Sequence, residues 1–281
     1  MKRYIYCILF FALTYCCQID AQKDTLNGFW IPSAAVGINL SQIALSNWTQ
    51  GGENSITWTL IGNGEYQFFS NKWNFKNILK ITYGRTKLGS QDFRTNDNEL
   101  FLELMLSKKL GWAVDPFLSN SIRTPITTGY NYKAEPFVKT ADFFDPGYVT
   151  QSIGFAYDKY ALLKTRLGFA LQETFTNEYR QYSDDPDTKG KEAFKLETGF
   201  ESVTNFQQTI YDNLIAKSSL RLFTRFENLD VWDVRWDTSI IAKINDLMNV
   251  NFDYLLIYQK QQSLDVQIKQ TLQVSFIYSI F

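Results

Sequence analysis

The last stretch of the chain, residues 264–281, reads LDVQIKQTLQVSFIYSIF. Its even-numbered positions are apolar apart from Gln270, and its odd-numbered positions from Asp265 to Ser275 are all polar. Because successive side chains of a β-strand point to opposite faces, this period of two gives one strand an apolar face and a polar face. The stretch is also longer than the about 9–11 residues that a tilted strand needs to cross a bilayer. It therefore predicts a membrane-crossing strand.

The terminal aromatic residue, Phe281, adds a second signal. The end of the chain resembles the closing strand of bacterial outer-membrane barrels, which ends in Phe and serves as an assembly signal. The resemblance implies outer-membrane lipid and the barrel-assembly machinery as partners. Because Phe281 is out of phase with the apolar set, it requires either a bulge or a variant of the signal.

Residues 1–21 have the pattern of a secretory signal peptide. Two basic residues precede an apolar run over 4–17, and Ala21 supplies a small residue for cleavage. Lipidation of a cysteine in this run is the alternative, and the bulky Tyr15 disfavours it. All 3 cysteines of the chain lie in this run, so the mature protein, residues 22–281, is predicted to contain no disulfide.

Composition narrows the class of protein further. Outside the signal segment, no apolar run approaches the about 20 residues that a membrane helix requires. Aromatic residues make up 16% of the chain and proline is rare. The net charge of −1 gives no reason to expect nucleic acid as a partner.

Alternating segments recur along the mature chain and predict about a dozen strands. The clearest early one is 98–110, where leucines at even positions alternate with Glu99, Phe101, Glu103 and Met105. The predicted strands are 34–43, 55–69, 73–85, 98–110, 112–123, 149–158, 161–175, 194–207, 214–227, 231–245, 248–259 and 264–281.

The connections between these segments alternate in length. Short turns lie at 70–72, 111, 159–160, 212 and 246; the other connections lie at 44–54, 86–97, 124–148, 176–193, 228–230 and 260–263. Bacterial outer-membrane barrels combine an even strand number with short periplasmic turns and longer outer loops. We therefore predict an all-β, antiparallel, up-and-down transmembrane barrel of about 12 strands, with both termini in the periplasm.

A secreted β-sandwich or a lipocalin-like barrel is the alternative, because its strands also alternate. Strands of such sheets are typically about 5–6 residues long, whereas these patterns continue for ten or more residues. One face is strongly charged, as expected of a wet lumen, while Leu, Trp and Phe crowd the other. Five tryptophans lie toward strand ends, where either an interfacial girdle or ordinary packing explains them: Trp58, Trp73, Trp112, Trp232 and Trp236.

Three motifs resemble those of a known family. They are Leu40-Ser41-Gln42 with Ser46-Asn47-Trp48 and Gly51-Gly52-Glu53-Asn54-Ser55; then DPGYVTQSIG at 145–154; then Asn228-Leu229-Asp230-Val231 before Trp232. The set resembles a family of Bacteroidota outer-membrane barrels known only as a domain of unknown function. The resemblance covers essentially the whole mature chain. It implies a barrel in the outer membrane and no established activity.

Two connections contain candidate constriction or interaction residues. In 48–55, paired glycines permit positive φ, so the loop either folds inward with Trp48 and Glu53 or packs Trp48 on the barrel wall. The connection 124–148 is too aromatic for a plain solvated loop, which predicts either an interaction site or a plug packed against itself. Its candidate residues are Tyr130, Tyr132, Phe137, Phe143, Phe144, Asp145 and Tyr148.

Catalysis is disfavoured because the chain contains no histidine. Barrel phospholipases, proteases and deacylases use histidine as general base or as its partner, and a zinc site would need carboxylates alone. Glu197 and Glu201 lie among basic residues on the predicted lumen face, which favours wall charges over acid–base chemistry. We therefore expect a non-enzyme without metal or cofactor.

Two functions remain open for such a barrel. One is a porin-like channel or transporter for small solutes or apolar molecules; the other is a structural or accessory barrel that acts with envelope protein partners. Open aqueous channels are typical of about 16–18 strands. A lumen crossed by side chains would therefore favour gated transport or the accessory role.

Charges on three consecutive segments predict their register. If the odd residues of 194–207, 214–227 and 231–245 all face the lumen, directly opposed residues share parity. The pairing that opposes Arg221 to Arg235 is rejected, because like charges directly opposite each other are destabilising. We predict two rungs of directly opposed charges, Glu197–Arg225–Asp233 and Glu201–Arg221–Asp237.

Overall fold

The computed structural model describes residues 28–47, 49, 51–184, 189–260 and 264–281. The predicted signal peptide and Trp48 lie outside these residues, and the signal peptide stays a prediction. Within the described ranges, no helix has the length and apolar character needed to cross a membrane.

The described residues form fourteen strands and one short 3₁₀ turn at Arg180–Tyr182. The strands are β1 Trp30–Ile43, β2 Ser55–Phe69, β3 Trp73–Leu88, β4 Arg94–Lys108, β5 Asp115–Thr124, β6 Gly129–Asn131, β7 Val138–Ala141, β8 Gly147–Tyr157, β9 Leu163–Phe175, β10 Phe194–Tyr211, β11 Leu214–Arg225, β12 Asn228–Lys243, β13 Met248–Tyr258 and β14 Gln267–Ser279. Each of the twelve predicted segments corresponds to a strand.

Twelve of the strands form one closed antiparallel barrel. The barrel closes where β1 pairs with β14, from Ala35 opposite Ser279 to Leu40 opposite Val274. The predicted 12-stranded up-and-down barrel is therefore confirmed. Strands β6 and β7 form a separate hairpin within the connection between β5 and β8. This hairpin was not predicted, because strands of 3 and 4 residues are too short to display an alternation.

The terminal strand β14 has the two faces that its sequence predicts. Ser275 and Gln273 are buried inside the barrel, whereas Leu272 and Tyr278 are more than half exposed on its outer surface. Pairing of β14 with β1 and β13 proceeds without a register shift. The strand ends at Ser279, but its backbone contact with β1 continues. Ala34 accepts the Ile280 amide at 2.7 Å and donates to the Phe281 carbonyl oxygen at 3.5 Å, so two residues oppose one there, as in a bulge.

The predicted girdle tryptophans lie on the outer face. Trp73, Trp112, Trp232 and Trp236 are all exposed there. Trp58 instead packs edge to face against Tyr83, with ring centroids 5.9 Å apart.

Because neighbouring strands of the barrel are antiparallel, successive connections lie at opposite ends of it. The connections that follow β1, β3, β5 and β9 share one end, which we call the long-loop end. The turns that follow β2, β4, β8, β10 and β12 share the other, the short-turn end. The turn after β11, Phe226–Glu227, lies at the long-loop end although it has only two residues.

Candidate functional site

A cavity of about 1090 Å³ extends along the barrel. Its lining begins near Leu162, in the turn between β8 and β9, and reaches Ala141 and Tyr182 in the connections of the long-loop end. Charged side chains of β2, β3, β4, β5, β9, β10, β11 and β12 line it. The polar face of the alternating pattern thus surrounds this cavity.

Strand β4 carries inward carboxylates that bind cations from distant strands. Glu103 forms an ion pair with Arg166 of β9, and Asp97 forms one with Lys269 of β14. Other strands lie between the partners in both pairs. Side chains of β4 therefore connect parts of the wall that are not neighbours in the sheet.

A third carboxylate of β4, Glu99, connects opposite walls of the barrel. One of its oxygens lies 2.9 Å from Nη1 of Arg123 on the adjacent β5. The same Oε2 lies 3.1 Å from Nη2 of Arg235 on β12. Since five strands separate β4 from β12 in either direction around the barrel, the Glu99–Arg235 ion pair crosses the lumen. Arg235 also binds Asp237, with Nε 3.0 Å from Oδ2.

The predicted register between β10 and β11 is wrong by two residues. Arg225 lies opposite Gly199 instead of Glu197. The two-residue turn Asp212–Asn213 leaves odd residues opposite even ones, and a one-residue bulge at Ile210 restores matched parity. The turn and the bulge therefore set this register, while the odd residues still face inward.

The predicted register between β11 and β12 is also wrong. Arg221 lies opposite Arg235, which is the pairing that the charge argument rejected. The chain reverses at 226–227 instead of 228–230, and extra residues of β12 form an irregularity beside Thr224. The Thr224 hydroxyl, buried at 1% exposure, lies 3.0 Å from the Val231 carbonyl oxygen and donates to this irregular backbone.

The two opposed arginines are compatible because each has its own carboxylate. Arg221 Nε lies 2.7 Å from Glu201 Oε1, whereas Arg235 reaches Glu99 and Asp237. The second predicted rung is therefore formed only between Glu201 and Arg221. Asp237 binds Arg235 instead, which shares its strand and its inward face.

The charges of the first rung meet along diagonals of the sheet. Arg225 Nε lies 2.5 Å from Glu197 Oε1, and Arg225 Nη2 lies 2.8 Å from Asp233 Oδ2. Diagonal neighbours on antiparallel strands are about 7–8 Å apart, a span that a long side chain bridges. The Glu197 and Asp233 side chains are only 7% and 3% exposed, so Arg225 binds two buried carboxylates. Lys195, 3.4 Å from Glu197, supplies the second positive charge.

Neutral groups complete the hydrogen bonding around these ions. The Gln172 amide donates to Glu197 at 3.1 Å and accepts from Arg221 at 3.0 Å, and thereby joins the two clusters. The Ser152 hydroxyl donates to Glu201 at 2.7 Å. At the long-loop end, Tyr182 faces the same group of residues. Burial raises the pKa of Tyr182, which keeps its hydroxyl protonated.

The loop candidate Glu53 does not line the cavity. Its side chain is exposed and lies against Gly89, in the connection between β3 and β4. Positive φ values of 83° and 101° at Gly51 and Gly52 turn this loop. Trp48 lies outside the described residues, so its predicted role stays a prediction.

The connection between β5 and β8 contains aromatic side chains that pack on one another and others that are exposed. The Tyr132 hydroxyl accepts the Thr95 amide at 2.9 Å, and its ring packs on Phe137 and Tyr130 with centroids 5.3 and 5.8 Å away. Phe143 is 61% exposed, whereas Phe144 contacts Phe175. The connection therefore combines a packed group of rings around Tyr132 with the exposed ring of Phe143.

The other two candidates, Asp145 and Tyr148, have different surroundings. The buried Asp145 carboxylate accepts the Asn177 and Glu178 amides at 3.0 and 2.7 Å, which ties the connections after β5 and β9 together. Tyr148, at the start of β8, lines the cavity.

Sequence reasoning missed the ions that join distant walls. The inward positions of these residues follow from the alternation, but their partners depend on how the barrel closes. They are Asp97, Glu99, Glu103, Arg166, Arg235 and Lys269. Within the described part of the chain, no three acidic or cysteine side chains are grouped to hold a metal ion.

A comparison with known families finds a match to part of the chain. Residues 40–130 match a family model described as "Protein of unknown function (DUF3078)". The match covers less than half of the 281 residues, so it is a similarity of that part of the chain. No curated protein matches the chain.

Several solved structures are similar to the barrel. The translocator domain of autotransporter NalP from Neisseria meningitidis is 9% identical with a TM-score of 0.39, over 99% of this chain and 94% of that one. An outer membrane channel from Pseudomonas putida F1 is 9% identical with a TM-score of 0.41, over 92% and 99%. The channel DcaP of Acinetobacter baumannii is 8% identical with a TM-score of 0.31, over 93% and 99%. At these identities the likeness concerns the fold alone.

The outer surface of the barrel indicates that lipid surrounds it. Large apolar side chains such as Leu118, Leu167 and Leu272 are each more than half exposed there, while the charged side chains that line the cavity face inward. Closed barrels satisfy their backbone hydrogen bonds internally and so tolerate lipid. The chain is an outer-membrane β-barrel. Lipid covers the apolar face, and the charged cavity is the candidate functional site.

Proposed function

We propose that this outer-membrane barrel is a porin-like channel or transporter for small polar solutes, in which an ion pair across the lumen gates passage. The observation that carries the proposal is the cavity, whose lining extends from the turn at Leu162 to the connections of the long-loop end. A route lined by charged side chains suits hydrated solutes better than apolar molecules.

The gate is the Glu99–Arg235 ion pair, which joins opposite walls at 3.1 Å. Twelve strands enclose a narrower lumen than the about 16–18 strands of open porins, so one pair of side chains reaches across it. Asp237 supplies a second acceptor for Arg235. Movement of Arg235 toward Asp237 alone would open the path without leaving its charge unpaired.

The proposal assigns no catalysis to this lumen. Glu197 and Glu201, the paired acids of the lumen face, each bind an arginine at 2.5 and 2.7 Å, and the chain contains no histidine to act as a base. We propose outer-membrane lipid and the barrel-assembly machinery as its partners. We also infer that the signature around Leu40 and Trp48 belongs to the Bacteroidota barrel family that it resembles.

An accessory barrel is the second candidate function. The ion pair across the lumen favours this function, because it narrows the path for solutes. The exposed Phe137 and Phe143 in the connection between β5 and β8 also favour it, because exposed aromatic rings suit contact with another envelope protein. Under this alternative the cavity conducts nothing.

Uptake into liposomes distinguishes the two functions. Vesicles that contain the purified mature barrel are expected to admit small sugars and amino acids faster than protein-free vesicles, because the cavity accepts hydrated solutes. Equal rates with and without the barrel would contradict the channel and favour the accessory role. The same barrel denatured by boiling before reconstitution is the control.

The topology gives a separate prediction. We expect the connections after β5 and β9 to face the outside of the cell, because outer-membrane barrels place longer loops there. A protease site inserted at Phe143 should be cut on intact cells, whereas one inserted at Asp212 should be cut only after the outer membrane is permeabilised. Cleavage at Asp212 on intact cells would invert the assignment.

A further inference from the structure

Lysines line the part of the cavity that is nearer the short-turn end. Lys76 and Lys80 come from β3, Lys164 comes from β9 and Lys217 comes from β11. Two acidic side chains line the same part. Glu103 of β4 lies opposite Ile78 of β3 and is paired with Arg166. Glu65 of β2 lies with its Oε1 3.0 Å from the Lys76 ammonium. One lysine is thus neutralised by a neighbour on the adjacent strand.

Lys80 and Lys217 lack such a partner. Among the described residues, no carboxylate lies within 4.0 Å of either ammonium group. Both side chains are exposed to the cavity. Strands β3 and β11 are separated by five strands in either direction, so the two ammonium groups approach the lumen from opposite walls.

The other charges around these lysines leave an excess of positive charge. Three charged side chains, Lys80, Glu65 and Lys243, act on Lys217, and two of the three are cations. Asp237, a diagonal neighbour of Lys217 on β12, is paired with Arg235. The positive charge of Lys80 also attracts the Glu99 carboxylate. That carboxylate is already neutralised by Arg123 and Arg235. Asp253 lies two strands from Lys217, but it does not line the cavity and accepts the Ser239 hydroxyl.

This arrangement differs from the long-loop half of the lumen. There, arginines and carboxylates pair with one another, as in the Glu197–Arg225–Asp233 cluster. An anion entering that half finds each arginine already bound to an acid. In the lysine-lined half it finds two ammonium groups with free donor capacity, since each lysine carries three donors.

We infer that the short-turn half of the lumen binds small anions, with Lys80 and Lys217 as the binding groups on opposite walls. The shared chemistry of the ligands is a carboxylate or phosphate group, which accepts hydrogen bonds from ammonium donors. Rings of basic side chains select anions in other pores. The consequence for transport, an anion-selective channel, rests on the proposed function, whereas the binding site itself does not.

Binding is measured by titrating citrate, and separately inorganic phosphate, into the detergent-solubilised mature barrel by calorimetry. Lys80→Gln with Lys217→Gln is expected to lower the affinity for citrate by about tenfold or more, because two charged donors are lost. The matched control is Lys72→Gln with Lys260→Gln, which removes the same charge from exposed turns and should leave the affinity unchanged. Absence of binding by the wild-type barrel, or equal affinity in all three proteins, would overturn the inference.

Ion selectivity is measured as the reversal potential across a planar bilayer with a KCl gradient. The wild-type barrel is expected to favour chloride, and Lys80→Glu with Lys217→Glu should shift the preference toward potassium. A conducting wild-type barrel that prefers potassium would overturn the inference and leave the proposed function intact. Citrate binding without any conductance would support the anion site and contradict the proposed channel.

Discussion

Replacing Arg225 with aspartate is expected to lower the free energy of unfolding of the barrel by about 3–5 kcal/mol, the range for breaking a buried ion pair. Arg225 binds Glu197 and Asp233, and both carboxylates are almost fully buried. The substitution leaves three carboxylates together, with Lys195, 3.4 Å from Glu197, as the cation beside them. Urea unfolding in lipid vesicles, followed by tryptophan fluorescence, measures the change.

Two further variants distinguish the loss of this ion-pair cluster from a general effect of the changed net charge. Lys72→Asp makes the same charge reversal in an exposed turn and should leave the stability near that of the wild type. Asp233→Arg in the Arg225→Asp chain should recover part of the loss, because the diagonal pair is then restored with its signs exchanged. An Arg225→Asp barrel as stable as the wild type would contradict the role of Arg225 in holding β10, β11 and β12 together.

Replacing Arg235 with alanine is expected to convert the lumen into a steadily conducting pore. The substitution removes the side chain that reaches Glu99 on the opposite wall. Little stability should be lost, because Glu99 keeps Arg123 at 2.9 Å and the Asp237 side chain, 47% exposed, is hydrated. Single-channel recording in a planar bilayer measures the step size and the open fraction.

The matched control for this variant is Arg123→Ala. It removes an arginine that binds the same carboxylate, Glu99, but from the adjacent strand β5. The ion pair across the lumen remains in this variant. Its conductance should therefore stay close to that of the wild-type barrel.

The barrel strands were predictable because their alternation is a property of the local sequence. In β4 and β14, lipid on one face and a charged lumen on the other impose a period of two over more than ten residues. The hairpin of β6 and β7 lacked this signal, since its strands are short and belong to neither face of the wall.

Register was not predictable from charge, because turn geometry decides it. The bulge at Ile210 and the irregularity beside Thr224 shift two hairpins by two residues each, which keeps parity but changes every opposed pair. Arg225 still reaches both of its predicted partners, since its long side chain spans a diagonal. Arg221 loses Asp237 because Arg235 is nearer to that carboxylate on the same strand.

The proposed gate could not be predicted from the sequence, for a different reason. Glu99 and Arg235 are 136 positions apart in the chain, and neither residue has a distinctive neighbourhood in the sequence. Their contact follows only from closing twelve strands into a ring that sets β4 opposite β12. The inward side of each residue is predictable from parity, whereas the pairing across the ring is not.

The most direct test of the gated lumen is a side-by-side recording of single-channel conductance for the wild-type barrel and for Arg235→Ala. A pore gated by the Glu99–Arg235 ion pair predicts brief or small openings in the wild type and larger, steady, ohmic steps in the variant. Equal conductance in the two proteins, or silence in both, would contradict the proposal that this ion pair controls a conducting path.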